Sequence, residues 1–259
     1  MLDELFAGSI ADAQRRRESV SLERVEKAAL SQIPALNALE FLAPGAQIKI
    51  LAEVKRASPS RGQMAEIPDP AALAKIYAEN GASAISVLTE ERKFKGSLED
   101  LISVRATVEV PLLRKDFIAN EYQILEARAA GADIILLIVA GLPQKDIERL
   151  KRFTEQLGMT AFVETHSEDE LKRALDVDTR MVGINARDLS TFETDRNLFG
   201  KLVHLIPENV IKVAESAVRN ADDVAHYRAA GADVALVGEA LVTNDPAAML
   251  QSFLAAGKS

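Results

Sequence analysis

Short apolar runs alternate with amphipathic stretches along most of the chain. From about residue 48 onward, eight runs rich in Val, Ile and Leu recur at regular intervals. Their length and nearly continuous apolar character are typical of strands that are buried on both faces of a parallel sheet. The predicted strands are Ile48–Lys55, Ala84–Thr89, Val110–Phe117, Ile134–Val139, Thr160–Glu164, Met181–Asn185, Val210–Glu215 and Val234–Gly238.

Signals for helix ends lie between these runs. Asp69 and Pro70 suit the N-cap and the first residue of a helix. Gly81, Gly131 and Gly231 each stand just before a predicted strand, where a glycine in the left-handed conformation would end a helix. The pattern therefore predicts a repeated βα unit.

Eight βα units could form an open doubly wound sheet or a closed barrel. The count matches a (β/α)8 barrel, and closure leaves no unpaired edge strand. We therefore predict an α/β fold, a single (β/α)8 TIM barrel over residues 48–259, with an N-terminal helical extension over residues 1–47 packed on it. The predicted helices of this extension are Leu2–Arg17 and Ser21–Leu30.

Composition limits the classes of partner. The chain has 31 Lys plus Arg and 39 Asp plus Glu, a net charge of −8, and the charges are scattered. This disfavours extended nucleic-acid or anionic-membrane surfaces.

Cysteine is absent, which excludes disulfides, thiolate nucleophiles and Cys-ligated metals. With no signal-peptide pattern and no apolar run near the roughly 20 residues of a membrane helix, we expect a cytoplasmic, monomeric protein with a small-molecule partner.

Polar side chains stand at the carboxyl ends of five predicted strands, where barrels of this type carry their active sites. A spacing of two places Glu53 and Lys55 on one face of the first strand. The corresponding residues elsewhere are Lys115, Glu164, Asn185 with Arg187, and Glu215. Such a group suits proton transfer on an anionic substrate, because nearby cations can lower the pKa of a lysine and burial can raise that of a glutamate.

The loops after the seventh and eighth strands predict a phosphate site. In such barrels these loops often bind phosphate through backbone N–H groups and a helix N-terminus. Ser216 could donate its hydroxyl, and Gly238 would let the main chain approach a ligand.

Six motifs resemble, in the same order, those of the indole-3-glycerol phosphate synthases. They are EVKRASPSRG at 53–62, FKGSLEDL at 94–101, LRKDF at 113–117, VETH at 163–166, GINARDL at 183–189 and AES at 214–216. The resemblance covers essentially the whole predicted barrel. It implies a lyase of tryptophan biosynthesis that closes the indole ring of 1-(2-carboxyphenylamino)-1-deoxyribulose 5-phosphate with loss of CO2 and water.

The resemblance also implies roles for individual residues. Lys115 corresponds to the general acid that protonates the ribulose carbonyl oxygen, and Glu164 to the acid/base residue of the dehydration. Glu53 and Lys55 would orient the substrate and take part in proton transfers. The other implied catalytic residues are Asn185, Glu215 and Ser216, and the implied substrate-binding residues are Ser58, Phe94, Phe117, Leu136, Arg187, Gly238 and Glu239. No metal and no organic cofactor is expected.

Two positions depart from the family pattern in ways that concern the site. Ala186 stands where the family often has Asn, and Ala217 where Gly usually follows Glu-Ser. If that position requires a positive φ, the alanine is strained there.

Two alternatives stay open from the residues alone. Phosphoribosylanthranilate isomerase would share the phosphate loops, but its usual cysteine is absent and the Glu-Val-Lys start does not match. A catalytically silent barrel would be expected to lose Lys115 or Glu164, and both are present. The three histidines are too dispersed for a metal set and are better explained as structural residues, with a supporting role of His166 beside Glu164 as the less favoured alternative. Residues 90–93 are predicted to form a solvated loop.

Overall fold

The computed structural model describes residues 1–188 and 191–258. Leu189, the last residue of the fifth motif, and Ser259, the last residue of the predicted barrel, lie outside the described residues.

Eight parallel strands close into a barrel. They are β1 (Lys49–Val54), β2 (Ala84–Leu88), β3 (Leu112–Lys115), β4 (Ile134–Ile138), β5 (Thr160–Thr165), β6 (Met181–Asn185), β7 (Ile211–Glu215) and β8 (Val234–Val237). Neighbours in sequence pair with one another, and β1 pairs with both β2 and β8, which closes the sheet. The predicted barrel is therefore confirmed, and the open sheet is excluded. Each strand lies within its predicted run, except that β5 extends one residue further, to Thr165.

Helices surround the barrel and precede it. They are α1 (Leu2–Ser19), α2 (Leu22–Ser31), α3 (Ala38–Phe41), α4 (Pro70–Glu79), α5 (Leu98–Arg105), α6 (Glu121–Ala129), α7 (Gln144–Gln156), α8 (Glu168–Asp176), α9 (Leu198–Leu202), α10 (Ala221–Ala229), α11 (Glu239–Val242) and α12 (Pro246–Ala256). Short 3-10 turns cover Val139–Gly141 and Val203–Leu205, and a small antiparallel pair joins Ala57–Ser58 to Gly62–Gln63. The two predicted N-terminal helices are present, whereas α3 was not predicted.

The predicted helix ends are also present. The Asp69 side chain accepts a hydrogen bond from the Ala72 N–H at 2.9 Å, which caps α4. Gly81, Gly131 and Gly231 have φ angles of 92°, 89° and 97°. Each of these glycines stops a helix in the left-handed region, where a side chain would be strained.

The N-terminal helix α1 shares the core of the barrel. Leu5 and Phe6 belong to the same buried cluster as the strands, and the Phe6 ring meets Phe117 edge-on with centroids 5.5 Å apart. A Cβ at Gly141 would overlap the Phe6 ring, so this close approach requires glycine. Burial of each such side chain contributes roughly 1.5–3 kcal/mol. The division of the chain at residue 47 stays a prediction.

A buried ionic network also joins α1 to β3. The Asp116 carboxylate accepts hydrogen bonds from Arg114 at 2.9 Å, Ser9 at 2.8 Å and Thr89 at 2.6 Å. Burial alone would raise the pKa of Asp116, but Arg114 and the two hydroxyls outweigh it and lower that pKa. Asp116 is therefore an anion, and it lies between the two predicted site residues Lys115 and Phe117.

Among the residues that the structure describes, no helix has the length and apolarity that crossing a membrane would require.

Candidate active site

One cavity of about 390 Å³ opens at the carboxyl ends of the strands. This volume suits a small-molecule ligand. Every site residue predicted from the sequence lines it: Glu53, Lys55, Ser58, Phe94, Lys115, Phe117, Leu136, Glu164, Asn185, Arg187, Glu215, Ser216, Gly238 and Glu239. The structure thus brings the predicted residues together, while their roles stay predictions.

Lys115 stands between two buried carboxyl groups. Its Nζ lies 2.5 Å from Glu164 Oε2 and 3.1 Å from Glu215 Oε2. Both glutamates are 2% exposed in their side chains, whereas Lys115 keeps 16% exposure toward the cavity. The ammonium is therefore the member of this group that a ligand can most readily reach.

The charges of this group decide where its protons reside. Burial alone would lower the pKa of Lys115, but the carboxyl groups of Glu164, Glu215 and Glu53 outweigh it and raise that pKa. Nearby cations were expected to lower it, and that expectation is wrong because the close neighbours of the ammonium are carboxyl groups.

The two glutamates differ in protonation. Burial and the adjacent Glu164 raise the pKa of Glu215 to about 8, against the lowering effect of Lys115. Burial also acts to raise the pKa of Glu164, but Lys115 and His166 outweigh it and hold that pKa well below its usual range. Near neutrality Lys115 is therefore an ammonium, Glu164 is a carboxylate and Glu215 is a carboxyl group that carries a proton.

Asn185 connects the carboxylate to the loop after β7. Its Nδ2 donates to Glu164 Oε1 at 3.2 Å, and its Oδ1 accepts from Ser216 Oγ at 2.7 Å and from the Arg187 N–H at 3.0 Å. Because these three partners fix both ends of the amide, Asn185 orients Glu164.

At the carboxyl end of β1, Glu53 and Lys55 form an ion pair. Glu53 Oε1 lies 2.6 Å from Lys55 Nζ, and the side chains are 3% and 20% exposed. A Cβ at Gly238 would lie 2.5 Å from Glu53 Oε1, so the missing side chain makes room for this pair. The sequence suggested instead that Gly238 makes room for the ligand.

Gly183 provides space in the same way, and it was not predicted as a site residue. A Cβ on this glycine of β6 would overlap Glu215 Oε1 and the ring of Phe162. Glycine is therefore required for Glu215 to reach Lys115. A glycine inside a buried strand is the signal that could have indicated this close approach.

The apolar wall combines predicted residues with one from α1. Phe94 and Phe117 pack with centroids 6.1 Å apart, and Leu136 and Leu5 also line the cavity. Together they form an apolar surface on which an aromatic ring could pack.

The loop that carries Phe94 is held by Glu90. This buried carboxylate accepts hydrogen bonds from the N–H groups of Arg92, Lys93 and Phe94 at 3.1, 2.7 and 2.9 Å. The predicted solvated loop over residues 90–93 is therefore wrong for Glu90, which is 3% exposed.

Arginine side chains stand at the rim. Arg61 Nη2 lies 2.7 Å from Glu239 Oε1, and Arg187 Nη1 donates to Ser60 Oγ at 3.3 Å. The pairing with Arg61 offsets the negative charge that Glu239 brings to the predicted phosphate loop.

The loop after β7 has an uncommon backbone. Ser216 and Ala217 have φ angles of 67° and 59°, in the left-handed region. The strain expected for an alanine at this position is therefore present.

The family model of indole-3-glycerol phosphate synthase matches residues 2–253. The chain belongs to the indole-3-glycerol phosphate synthase family. The predicted family is thus confirmed, and with it the predicted assignment to a lyase of tryptophan biosynthesis.

Relatives in this family cover nearly the entire chain. The indole-3-glycerol phosphate synthase of Leifsonia xyli is 62% identical over 253 residues, which are 98% of this chain and 97% of that protein. The enzyme of the same name from Mycolicibacterium smegmatis is 51% identical over 259 residues, 99% of this chain and 94% of that protein. These matches favour the synthase family over the isomerase alternative.

Solved structures outside the family share the barrel. A thiamine phosphate pyrophosphorylase from Pyrococcus furiosus aligns with a TM-score of 0.61 at 15% identity, over 82% of this chain and 95% of that one. A 3-hexulose-6-phosphate synthase from Salmonella typhimurium aligns with a TM-score of 0.64 at 13% identity, over 81% and 98%. At such low identity these similarities show the fold alone.

Proposed function

We propose that this member of the indole-3-glycerol phosphate synthase family closes the indole ring of 1-(2-carboxyphenylamino)-1-deoxyribulose 5-phosphate. The products are indole-3-glycerol phosphate, CO2 and water. The observation that carries the proposal is the position of the Lys115 ammonium. It lines the cavity and is paired with the buried carboxyl groups of Glu164 and Glu215.

In the first step Lys115 acts as the general acid. It donates a proton to the ribulose carbonyl oxygen while the aromatic carbon that bears the carboxylate attacks the carbonyl carbon, which forms the new C–C bond. With its raised pKa Lys115 is fully protonated at neutral pH before the substrate binds. Loss of CO2 then returns the electron pair to the ring and restores its aromaticity.

In the second step Glu164 acts as the base. Dehydration breaks a C–O bond and the C–H bond on the adjacent carbon. The hydroxyl group takes a proton from the Glu215 carboxyl group and leaves as water, and a carboxylate is needed to accept the proton from carbon. Glu164 has the lowered pKa of a carboxylate, and Asn185 fixes its orientation. Glu215, with a pKa of about 8, would exchange protons with this group between the steps.

The remaining predicted residues bind and orient the substrate. The anthranilate ring would pack against Phe94, Phe117 and Leu136, and its carboxylate would approach Arg187 with Ser58 nearby. The phosphate would lie over the loops of Ser216 and Gly238, where Lys55 supplies a positive charge. Glu53 would hold Lys55, and Glu239 would fix the position of Arg61 at the rim.

The proposal also covers the localisation, the oligomeric state and the domain organisation of the protein. We infer a cytoplasmic, monomeric enzyme without a nucleic-acid partner, whose helical extension over residues 1–47 covers part of the barrel over 48–259. The net charge of −8 and the packing of Leu5 and Phe6 against the strands support this view.

The decisive experiment adds the carboxyphenylamino-deoxyribulose phosphate to the purified protein. Indole fluorescence should appear, and mass spectrometry should detect a product lighter by one CO2 and one water. Phosphoribosylanthranilate serves as the competing substrate. Its isomerisation without any indole fluorescence from the first substrate would contradict the proposal.

A further inference from the structure

His166 is a partly buried histidine that the proposed steps do not use. It directly follows β5, and its imidazole lies between two carboxylates. Nε2 is 3.3 Å from Glu164 Oε1, and Nδ1 is 3.1 Å from Glu170 Oε2. The side chain is 9% exposed.

This geometry favours a proton on both ring nitrogens, because each nitrogen lies beside a carboxylate oxygen. A carboxylate can only accept hydrogen bonds, and a neutral imidazole would point the lone pair of one nitrogen at one of the two carboxylates. Within the described residues, Nε2 has no aligned hydrogen-bond partner. Its contact with Glu164 is therefore an attraction between charges.

We propose that His166 is a positioning residue: a doubly protonated imidazole that joins Glu164 to Glu170 and keeps Glu164 ionised and directed toward Lys115.

The N-terminus of α8 holds this imidazole in place. Glu170 Oε2 accepts a hydrogen bond from the His166 backbone N–H at 2.8 Å in addition to its contact with the ring. The Glu170 backbone N–H in turn donates to Ser167 Oγ at 3.2 Å, because Ser167 caps the helix. The anion that faces Nδ1 is thus fixed by the backbone of the helix.

The charges around His166 support its cationic state. Glu164 faces it from β5 and Glu170 from α8, while Lys115 and Glu215 lie on the far side of Glu164. Burial alone would lower the pKa of His166, but the two facing carboxylates raise it to about 10.

Without this cation the ionisation of Glu164 would depend more heavily on Lys115. Lys115 is shared with Glu215, and Asn185 contributes only a neutral donor. A proton would then bind Glu164 more readily, and the base of the dehydration would be lost at a higher pH.

The first test measures the protonation of His166 by NMR. The chain has three histidines, so the ring signals that disappear in His166→Gln identify this residue. We expect both ring nitrogens to stay protonated at a pH of about 8, and Glu170→Gln to shift the titration midpoint downward. A neutral ring in the wild-type protein at this pH would overturn the proposal.

The second test rests on the proposed function and uses the pH dependence of kcat. In His166→Gln the acidic limb of the profile should move upward by about one pH unit, so that kcat at a given pH on that limb falls roughly tenfold with little change in KM. Glu168→Gln is the matched control, because it removes an exposed carboxylate from the same helix and leaves the imidazole and its two facing carboxylates intact. Its acidic limb should not move.

The outcomes separate the two proposals. An active wild-type enzyme with an unchanged acidic limb in His166→Gln would overturn the role of His166. A wild-type protein without turnover would instead contradict the proposed function, and the NMR titration would still decide the charge of His166. If His166→Gln does not fold, Glu170→Gln provides the same two readouts.

Discussion

Lys115 Nζ lies 2.5 Å from Glu164 Oε2, although β4 separates the strands that carry these residues. The contact therefore passes over the end of β4 at the mouth of the barrel. It brings a proton donor from β3 and a proton acceptor from β5 to one side of the same cavity. A substrate whose carbonyl oxygen takes up the Lys115 proton would break this pair and release Glu164 for the second step.

Replacing Lys115 tests the acid of the first step. Lys115→Ala should lower kcat by roughly 10³-fold, because it removes the positioned general acid, while the substrate should still bind. Steady-state kinetics and calorimetric titration with the substrate measure the two effects. Lys75→Ala, on the exposed face of α4, is the control and should be fully active. Near-normal turnover of the Lys115 variant would reject its role.

Glu164→Gln tests the base of the second step. The variant retains the shape of the side chain and loses the carboxylate, so ring closure and decarboxylation should proceed while dehydration fails. Rapid-quench mass spectrometry should then detect an intermediate that has lost CO2 but retains the water. The control is Glu168→Gln, an exposed change on α8. Single-turnover kinetics identical to those of the wild type would contradict the assignment.

The sequence predicted the fold and the membership of the site because both depend on local patterns. Each barrel strand is marked by its own apolar run, and on five of the strands a polar residue at the carboxyl end is in phase with the inward positions. Closure then brings Glu53, Lys115 and Glu164 to one mouth, however far apart they lie in the chain.

The remaining features depend on distances that no local pattern contains. The sequence could not show which carboxyl group faces Lys115, so it predicted the wrong direction for the pKa of that lysine. The space that Gly183 provides for Glu215 depends on contacts across two strands. The burial of Glu90 was missed because its charged neighbours made the segment resemble an exposed loop.

The network around Asp116 should be important for stability. Asp116→Asn removes the nearer of the two carboxylates that face the fully buried Arg114, at 2.9 Å against 3.5 Å for Glu126, and such a loss costs about 3 kcal/mol. Ser9→Ala removes a single hydrogen bond to the same carboxylate and should cost about 1 kcal/mol. Urea unfolding of both variants measures the difference. Equal, small effects would indicate that Arg114 is compensated by other groups.

Substitution by glycine should relieve the backbone strain at Ala217. Because its φ is 59°, relief of strain in Ala217→Gly should raise the free energy of unfolding by about 0.5–1 kcal/mol. The larger entropy that glycine gives the unfolded chain reduces this gain. Ala28→Gly in the exposed interior of α2 is the matched control and should lower it by about 1 kcal/mol. Urea unfolding gives both values. Destabilisation by both changes would show that the backbone at Ala217 carries no relievable strain.

Glu215 should make the protein less stable as the pH rises. Its pKa is about 8 in the folded protein, above the ordinary 4.5, so the folded state binds this proton more tightly than the unfolded state does. The stabilising effect is complete below a pH of about 4.5 and is lost as the pH rises through about 8. Glu215→Gln is neutral at every pH and escapes this loss, although it should impair turnover.

The variant should therefore gain stability relative to the wild type across that range, by about 5 kcal/mol at its upper end. Urea unfolding at a pH of about 5 and again at about 9 measures the gain, with the exposed Glu148→Gln on α7 as the control. If the Glu215 variant and the control follow the wild type in parallel, Glu215 is ionised in the folded protein. Lys115 would then stand between two carboxylates rather than between a carboxylate and an acid.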